Sequence, residues 1–169
     1  QEKEIVNGLK KLPGLINEAL LQETQIKQLS KRFKNKSSAL FLGRGTMHAI
    51  AMEGALKLKE ISYIHAEAYP AGELKHGPIA LIDKDMPVIA IAPNDQLLEK
   101  LKSNLQEVKS RGSQMIIFED ENSRVRPMNS MEVIPVTSNL GRITAPIIFT
   151  IPLQLLSYHV AIIRGTDVD

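Results

Sequence analysis

Three short apolar segments, separated by stretches with helical periodicity, constrain the fold of this chain most strongly. They are residues 38–42, 87–92 and 114–118, and each is mainly a run of Val, Ile, Leu, Ala, Met or Phe. Continuous apolar runs are typical of strands that are covered on both faces, as in parallel sheets. With two weaker segments at 66–69 and 132–135, the pattern predicts about five parallel strands in a three-layer α/β/α sandwich.

The segments between the strands have the apolar spacing of helices. One long helix is expected over 2–31, and Pro13 should kink it or divide it into two pieces. Two further helices are expected over about 46–62 and 94–109, with N-caps at Thr46 and at Asn94 or Asp95. The pattern therefore alternates strands with helices of a length suited to crossover connections.

The last helical segment, 143–163, is apolar and long enough to cross a membrane. Pro146, Pro152, Gln154 and His159 interrupt it, so a buried core or subunit-interface helix is predicted and no membrane partner. The chain begins without Met and is expected to be a piece of a longer protein. Residues 1–169 should form one domain, with a helical segment at 1–35 and a sheet-and-helix core at 36–169.

Composition argues against several functions. The chain has 21 basic and 19 acidic residues, and only 4% of its residues are aromatic. This near-balance of charge provides no field suited to nucleic acid, and few side chains are available to stack on bases. Cysteine is absent, which excludes disulfides and thiolate chemistry and fits a reducing compartment. The histidines have no spacing typical of a metal site, so no metal is expected.

A tight turn, Gly43-Arg44-Gly45, follows the first predicted strand and precedes a helix. Two glycines could let the backbone approach an anionic ligand near the helix N-terminus. The segment lacks the third glycine of a dinucleotide fingerprint and the lysine of a P-loop. From spacing alone, a phosphate site and a purely architectural turn remain equally open.

The helix after this turn carries Glu53, Lys57 and Glu60 at positions i, i+4 and i+7, which share one helix face. Such a row can be a solvated ion pair and nothing more. It can also be catalytic if Glu60 stands at a cleft, because partial desolvation raises the proton affinity of a carboxylate. Lys57 would act in the opposite direction, and a base balanced between these effects could remove a proton next to a carbonyl.

His76 lies in the loop Gly72-Glu-Leu-Lys-His-Gly-Pro78, after the strand predicted at 66–69. A histidine in a Gly/Pro loop is expected to be exposed, and its ordinary titration range is near neutrality. Its position alone does not distinguish an ordinary surface histidine from a catalytic one.

Residues 53–69 and 72–78, together with 151–161 and 165–169, closely resemble the glucosamine-6-phosphate synthases, which are glutamine-dependent fructose-6-phosphate aminotransferases. The resemblance covers nearly the whole chain, and these long unbroken motifs are specific. It corresponds to the second of two sugar-isomerase (SIS) domains in the isomerase half of these enzymes. It implies a flavodoxin-like SIS fold with a five-stranded parallel sheet and no organic cofactor or metal.

The resemblance also implies roles for individual residues. Glu60 matches the base that moves a proton between the first two sugar carbons, with Lys57 and Glu53 beside it. His76 matches the histidine that assists ring opening in the active site of the neighbouring subunit. The implied partners are fructose 6-phosphate, glucosamine 6-phosphate, a second copy in a cytoplasmic homodimer, and the enzyme's own glutaminase and first SIS domains. The turn at 43–45 is then chiefly architectural.

Other parts of the resembling enzymes lie outside this sequence. These are the glutaminase domain, the first SIS domain with its phosphate-binding loop, and a C-terminal tail with an active-site lysine. The isolated chain is therefore expected to fold but to turn over little or no substrate. Two alternatives are a non-catalytic sugar-phosphate-binding module and a dimerisation scaffold. The row at 53, 57 and 60 together with His76 argues against the first, because a sensor needs no proton shuttle.

Overall fold

A computed structural model describes residues 2–138 and 140–168; Gln1 and Asp169, the ends of the expected domain, lie outside the described residues. The helices are α1 (Glu2–Leu20), α2 (Glu23–Ser30), α3 (Met47–Ser62), α4 (Leu98–Ser110) and α5 (Thr144–Arg164). The strands are β1 (Ser38–Gly43), β2 (His65–Pro70), β3 (Val88–Ala92), β4 (Met115–Asp120) and β5 (Met131–Thr137). Short 3-10 turns occur at Lys31–Phe33, Ala71–His76, Pro78–Leu81 and Glu121–Ser123.

The five strands form one parallel sheet in the order β2-β1-β3-β4-β5, which confirms the predicted fold class. Phe41 of β1 lies opposite Ala68 of β2 on one side and Ile89 of β3 on the other. The chain runs from β1 outward to β2 at one edge and then returns to the other side of β1. This is the flavodoxin-like strand order, which has its topological switch point between β1 and β3.

Successive residues of the central strands face opposite layers, as strand geometry requires. Phe41, Ile89 and Phe118 pack beneath α1, α2, α3 and α5. Leu42 and Ala90 face the other layer, which contains α4 and the short turn at 71–76. The sheet is thus buried on both faces, which explains why its strands read as continuous apolar runs.

The N-terminal helical segment is divided after Leu20 and not at Pro13. Pro13 lies inside α1, and the chain turns instead at Leu21 and Gln22. Pro13 is exposed, so water can satisfy the backbone carbonyl that the missing N–H leaves free. The later turn lets α2 pack on α5, where Glu23 Oε1 lies 3.1 Å from His159 Nε2.

The predicted caps are only partly correct. Thr46 precedes α3 but makes no side-chain cap bond, because its backbone is already helical. The N–H groups of Met47 and His48 donate instead to carbonyls of the glycine turn. Asp95 accepts a 2.8 Å hydrogen bond from the N–H of Leu97, just before α4 begins at Leu98.

The long apolar helix α5 is a core helix of this domain. It passes the length and composition criteria for a membrane span, and half of its apolar window is buried inside the protein. Phe149, Leu153 and Leu156 are fully buried against the sheet and α3. Ile147, Tyr158 and Ile162 remain exposed on its outer face.

The junction between β1 and α3 generates the first prediction. A Cβ at Gly43 would lie 2.1 Å from the Met47 carbonyl oxygen, and backbone cannot move aside cheaply. We therefore expect Gly43→Ala to lower the free energy of unfolding by at least about 2 kcal/mol, within the range typical of overpacking. Thermal and denaturant unfolding of the 169-residue chain would measure the change.

Gly14→Ala is the matched control, because a Cβ at Gly14 meets nothing within 4 Å. Gly14 lies inside α1, so alanine there should raise stability by about 0.5–1 kcal/mol. Equal effects of the two substitutions would contradict the close approach at Gly43.

Candidate active site

The predicted ionic row on α3 is present. Lys57 Nζ lies 2.8 Å from Glu60 Oε2 and 4.0 Å from Glu53 Oε1. Helical periodicity brings the three side chains to one face, while Ala51, Gly54 and Leu58 form the buried face. The row therefore forms without a ligand, in the order carboxylate, ammonium, carboxylate.

The electrostatics of the row stabilise the charged form of Lys57. The hydrogen bond to Glu60 is the largest cause that raises the pKa of Lys57 above its ordinary value of 10.5, followed by the charge of the same carboxylate. Glu53 adds a smaller effect, because it is farther away. Lys57 is thus a fixed cation at neutral pH, and it holds one oxygen of Glu60.

Glu60 lies near the amino ends of the strands. It is two residues from the end of α3, which runs antiparallel to the strands, and β2 begins five residues later at His65. The sequence hypothesis placed Glu60 at the mouth of a crevice. Within the described residues the Glu60 side chain is instead 48% exposed. The desolvation that a raised proton affinity requires is not supplied by this chain alone.

A groove of about 670 Å³ lies beside the row, between α3 and the edge strand β2. Its lining includes Met52, Glu53 and Leu56 of α3, but not Glu60. From β2, Tyr69 contributes its hydroxyl, which donates to Glu67 Oε2 at 2.7 Å. That hydrogen bond is the main reason that the pKa of Tyr69 is raised.

Sequence reasoning missed this groove. Met52 and Leu56 are 54% and 43% exposed, and they lie one helical turn apart beside the charged row. Two large apolar residues at i and i+4 on an otherwise charged face are a detectable signal. Nothing in the sequence indicated that β2 is an edge strand, because strand order depends on the tertiary fold.

His76 lies at the carboxyl ends of the strands, whereas Glu60 lies near their amino ends. His76 ends the 71–76 turn, which follows the carboxyl end of β2. Its side chain is 75% exposed, and its Nε2 is 3.8 Å from Glu73 Oε2, which is too long for a hydrogen bond. The six residues of β2 alone span about 17 Å. One copy of the chain therefore does not bring Glu60 and His76 together.

The glycine turn at 43–45 allows close approaches at the junction between β1 and α3. Gly45 has φ +58°, and the absence of a Cβ lets it approach Leu97. Arg44 follows β1, and its Nη1 donates to Asn104 Oδ1 of α4 at 3.1 Å. The space there, between Arg44 and Pro93, leaves no room for a water molecule. Arg44, Pro93 and Leu97 are therefore closely packed at this point.

Among the described residues, no three His, Asp or Glu side chains come together in a way that could hold a metal ion. The row on α3 itself offers the chemistry of two carboxylates and an ammonium. Such a set can bind, orient and exchange protons with a small polar molecule.

Comparisons with known proteins agree with one another. A family model described as "SIS domain" matches residues 32–164. Glutamine–fructose-6-phosphate aminotransferase (isomerizing) of Pectobacterium atrosepticum is 58% identical over 99% of this chain and 27% of that protein. The Escherichia coli enzyme of the same name is 57% identical over the same shares. The chain thus spans about a quarter of the length of these curated relatives.

The structural comparison identifies the matching region. The C-terminal domain of glucosamine-fructose-6-phosphate aminotransferase from Francisella tularensis superposes with a TM-score of 0.94 at 55% identity. The match covers 98% of this chain and 46% of that one. This chain is therefore similar to about half of the C-terminal domain of that enzyme.

The ionic row generates a prediction that needs no substrate. Glu60→Gln should lower the pKa of Lys57 toward 10.5, and Glu53→Gln should lower it less, because Glu60 is the closer partner. Heteronuclear NMR titration of the lysine side chains would measure both shifts. Equal shifts, or none, would contradict the geometry described for this row.

The sign of the pH dependence follows from the same shift. Because folding raises the pKa of Lys57, its pairing with Glu60 stabilises the folded chain fully below about pH 10.5. This stabilisation is lost as the pH rises through the pKa that Lys57 has in the folded state. The Lys57 contribution should therefore weaken as the solution becomes alkaline, and it should be smaller in Glu60→Gln, where only Glu53 remains to raise the pKa of Lys57.

Proposed function

This chain belongs to the SIS domain family, and we propose that it serves as the C-terminal SIS domain of an isomerizing glutamine–fructose-6-phosphate aminotransferase. In that enzyme it would take part in converting fructose 6-phosphate and glutamine-derived ammonia to glucosamine 6-phosphate. The observation that carries the proposal is the 57–58% identity along 99% of the chain to one quarter of such enzymes. The cytoplasmic location and the homodimer are parts of the same proposal.

The row on α3 supports a role in proton transfer. Glu60 would take a proton from the second sugar carbon and return it to the first. Lys57 engages Glu60 Oε2 at 2.8 Å, which orients the carboxylate and leaves Oε1 to face the sugar. Glu53 helps to hold the ammonium in place from 4.0 Å. A purely sugar-binding or dimerising module would need no such preorganised base.

A neighbouring domain would complete the site. The Glu60 side chain is about half exposed here, and the adjacent groove and the Met52–Leu56 pair present apolar surface around it. Covering this face with the enzyme's first SIS domain would exclude water and raise the proton affinity of the base. This dependence explains why the isolated chain is expected to be inactive.

The opposite locations of Glu60 and His76 support a shared active site. Because β2 runs between them in one chain, a site that uses both would take the His76 of a second copy. A two-fold dimer would supply it, since each copy then donates its turn to the other. His76 would assist ring opening there, by proton transfer at the ring oxygen.

A domain-exchange experiment tests the proposal. In the Escherichia coli enzyme, the C-terminal region that matches this chain would be replaced by residues 1–169. We expect glucosamine 6-phosphate formation by this exchanged enzyme. Glu60→Gln should reduce turnover by about 10²–10⁴, the usual contribution of a general base, while fructose 6-phosphate still binds.

Glu99→Gln is the matched control. Glu99 also pairs with a lysine of its own helix, Lys102, at 2.8 Å with the same separation along the chain. It lies on α4, away from the row, so turnover should be unchanged. Equal turnover in the parent and in Glu60→Gln would remove Glu60 from the proposed role.

The shared site is tested by complementation. Exchanged enzymes that carry His76→Ala or Glu60→Ala should each be inactive alone. Coexpressed chains should form mixed dimers with one intact composite site, which would restore about a quarter of parental turnover if pairing is random. Absence of any recovery, with mixed dimers verified by mass, would mean that both residues act within one chain.

A further inference from the structure

We propose that Glu107 of α4 is a positioning residue that acts through Lys75 to hold the turn at 71–76, and with it His76, in the orientation needed for the sugar reaction. This inference rests on the proposed function of His76. It concerns a part of the molecule, the α4 layer, that lies on the other side of the sheet from the α3 row.

The direct connection is an ion pair between the turn and α4. Lys75 Nζ lies 3.0 Å from Glu107 Oε1. The lysine side chain is 67% exposed, but that of Glu107 is only 25% exposed. Lys75 immediately precedes His76, so this pair fixes the residue next to the imidazole.

A second contact links the same two elements. Arg44 Nη1 donates to Asn104 Oδ1 at 3.1 Å, and Asn104 lies three residues before Glu107 on α4. The guanidinium also lies against Gly72, where an added Cβ would come within 2.8 Å of Nη1. Asn104 thus holds the guanidinium that lies against Gly72, and Glu107, one helical turn later on α4, pairs directly with Lys75.

Apolar packing anchors the start and middle of the turn but not its end. Ala71 and Leu74 are fully buried against α4 and the sheet. His76 lies two residues beyond Leu74 and is followed by Gly77 at φ +136°, where the chain can pivot. Lys75 is therefore the last anchored residue before an exposed imidazole.

The burial of Glu107 makes the pair sensitive to charge. Its Oε2 is inaccessible to solvent and makes no hydrogen bond within the described residues. A carboxylate in such a place is costly unless a cation compensates it. Lys75 supplies that charge, so the electrostatic energy of Glu107 favours the one conformation of the turn that keeps the ammonium beside it.

The experiment is a double-mutant cycle in the exchanged enzyme described above. Glu107→Gln should lower kcat for glucosamine 6-phosphate formation by about 10- to 100-fold, because small displacements of a catalytic group carry costs of that size. KM for fructose 6-phosphate, glutaminase activity and the melting temperature should change little. In a His76→Asn background, Glu107→Gln should have no further effect, since its only route to the reaction is removed.

Two variants separate positioning from simple destabilisation. Glu99→Gln, on the same helix but paired with Lys102 of that helix, should leave kcat unchanged. The charge exchange Lys75→Glu with Glu107→Lys should recover part of the kcat that either single change removes. A purely structural role would not predict this recovery at an unchanged melting temperature.

Several results would overturn the inference. They are an unchanged kcat in Glu107→Gln, a loss that multiplies with that of His76→Asn, or no recovery in a charge-exchanged enzyme that folds normally. A different result identifies failure of the proposed function itself. If His76→Asn alone leaves turnover unchanged, His76 has no catalytic role, and Glu107 has nothing to position.

Discussion

The close approach of α3 to the end of β1 is the contact on which the other features depend. Gly43 has no side chain, so the carbonyl of Met47 can lie where a Cβ would otherwise be. A second close contact, between Gly54 and the side chains of Phe41 and Leu153, holds the middle of the helix against the sheet and α5. These two glycines set α3 against the sheet, and the residues between its buried positions must then face outward. The ionic row and the groove beside β2 follow from that orientation.

The two candidate catalytic residues, Glu60 and His76, lie at opposite ends of the strands. A crossover helix runs antiparallel to the strands that it connects. Residues late in α3 therefore lie near the amino ends of the strands, whereas the turn after β2 lies at their carboxyl ends. Glu60 and His76 are only sixteen residues apart in the chain, yet the whole length of β2 lies between them. A fold of this kind can use both groups in one reaction only by assembling with other domains. Arg44, which follows β1, donates a hydrogen bond to Asn104 of α4 and lies against Gly72, so it connects the turn that carries His76 to α4.

Several features could be derived from the sequence because they depend on local periodicity. The spacing of Glu53, Lys57 and Glu60 places them on one face of any helix, and the structure has them there. The apolar runs predicted strands that the structure confirms to within one or two residues. Pro13 does not divide the helix, because the cost of proline there depends on whether water can reach the freed carbonyl, and this is decided by exposure. Thr46 was misjudged because its backbone conformation, which a residue type does not determine, leaves its hydroxyl no capping role.

The sequence by itself determined the parallel α/β class, the ionic row and, through long unbroken motifs, the family to which the chain belongs. Only the tertiary structure decided that Glu60 and His76 lie at opposite edges, that Glu60 is half exposed, and that Glu107 pairs with Lys75 across thirty-two residues. The physical reason is how far apart along the chain the residues that determine each feature lie. Helix and strand periodicities are properties of neighbouring residues, whereas burial, strand order and ion pairs between elements depend on which distant segments the hydrophobic core brings together.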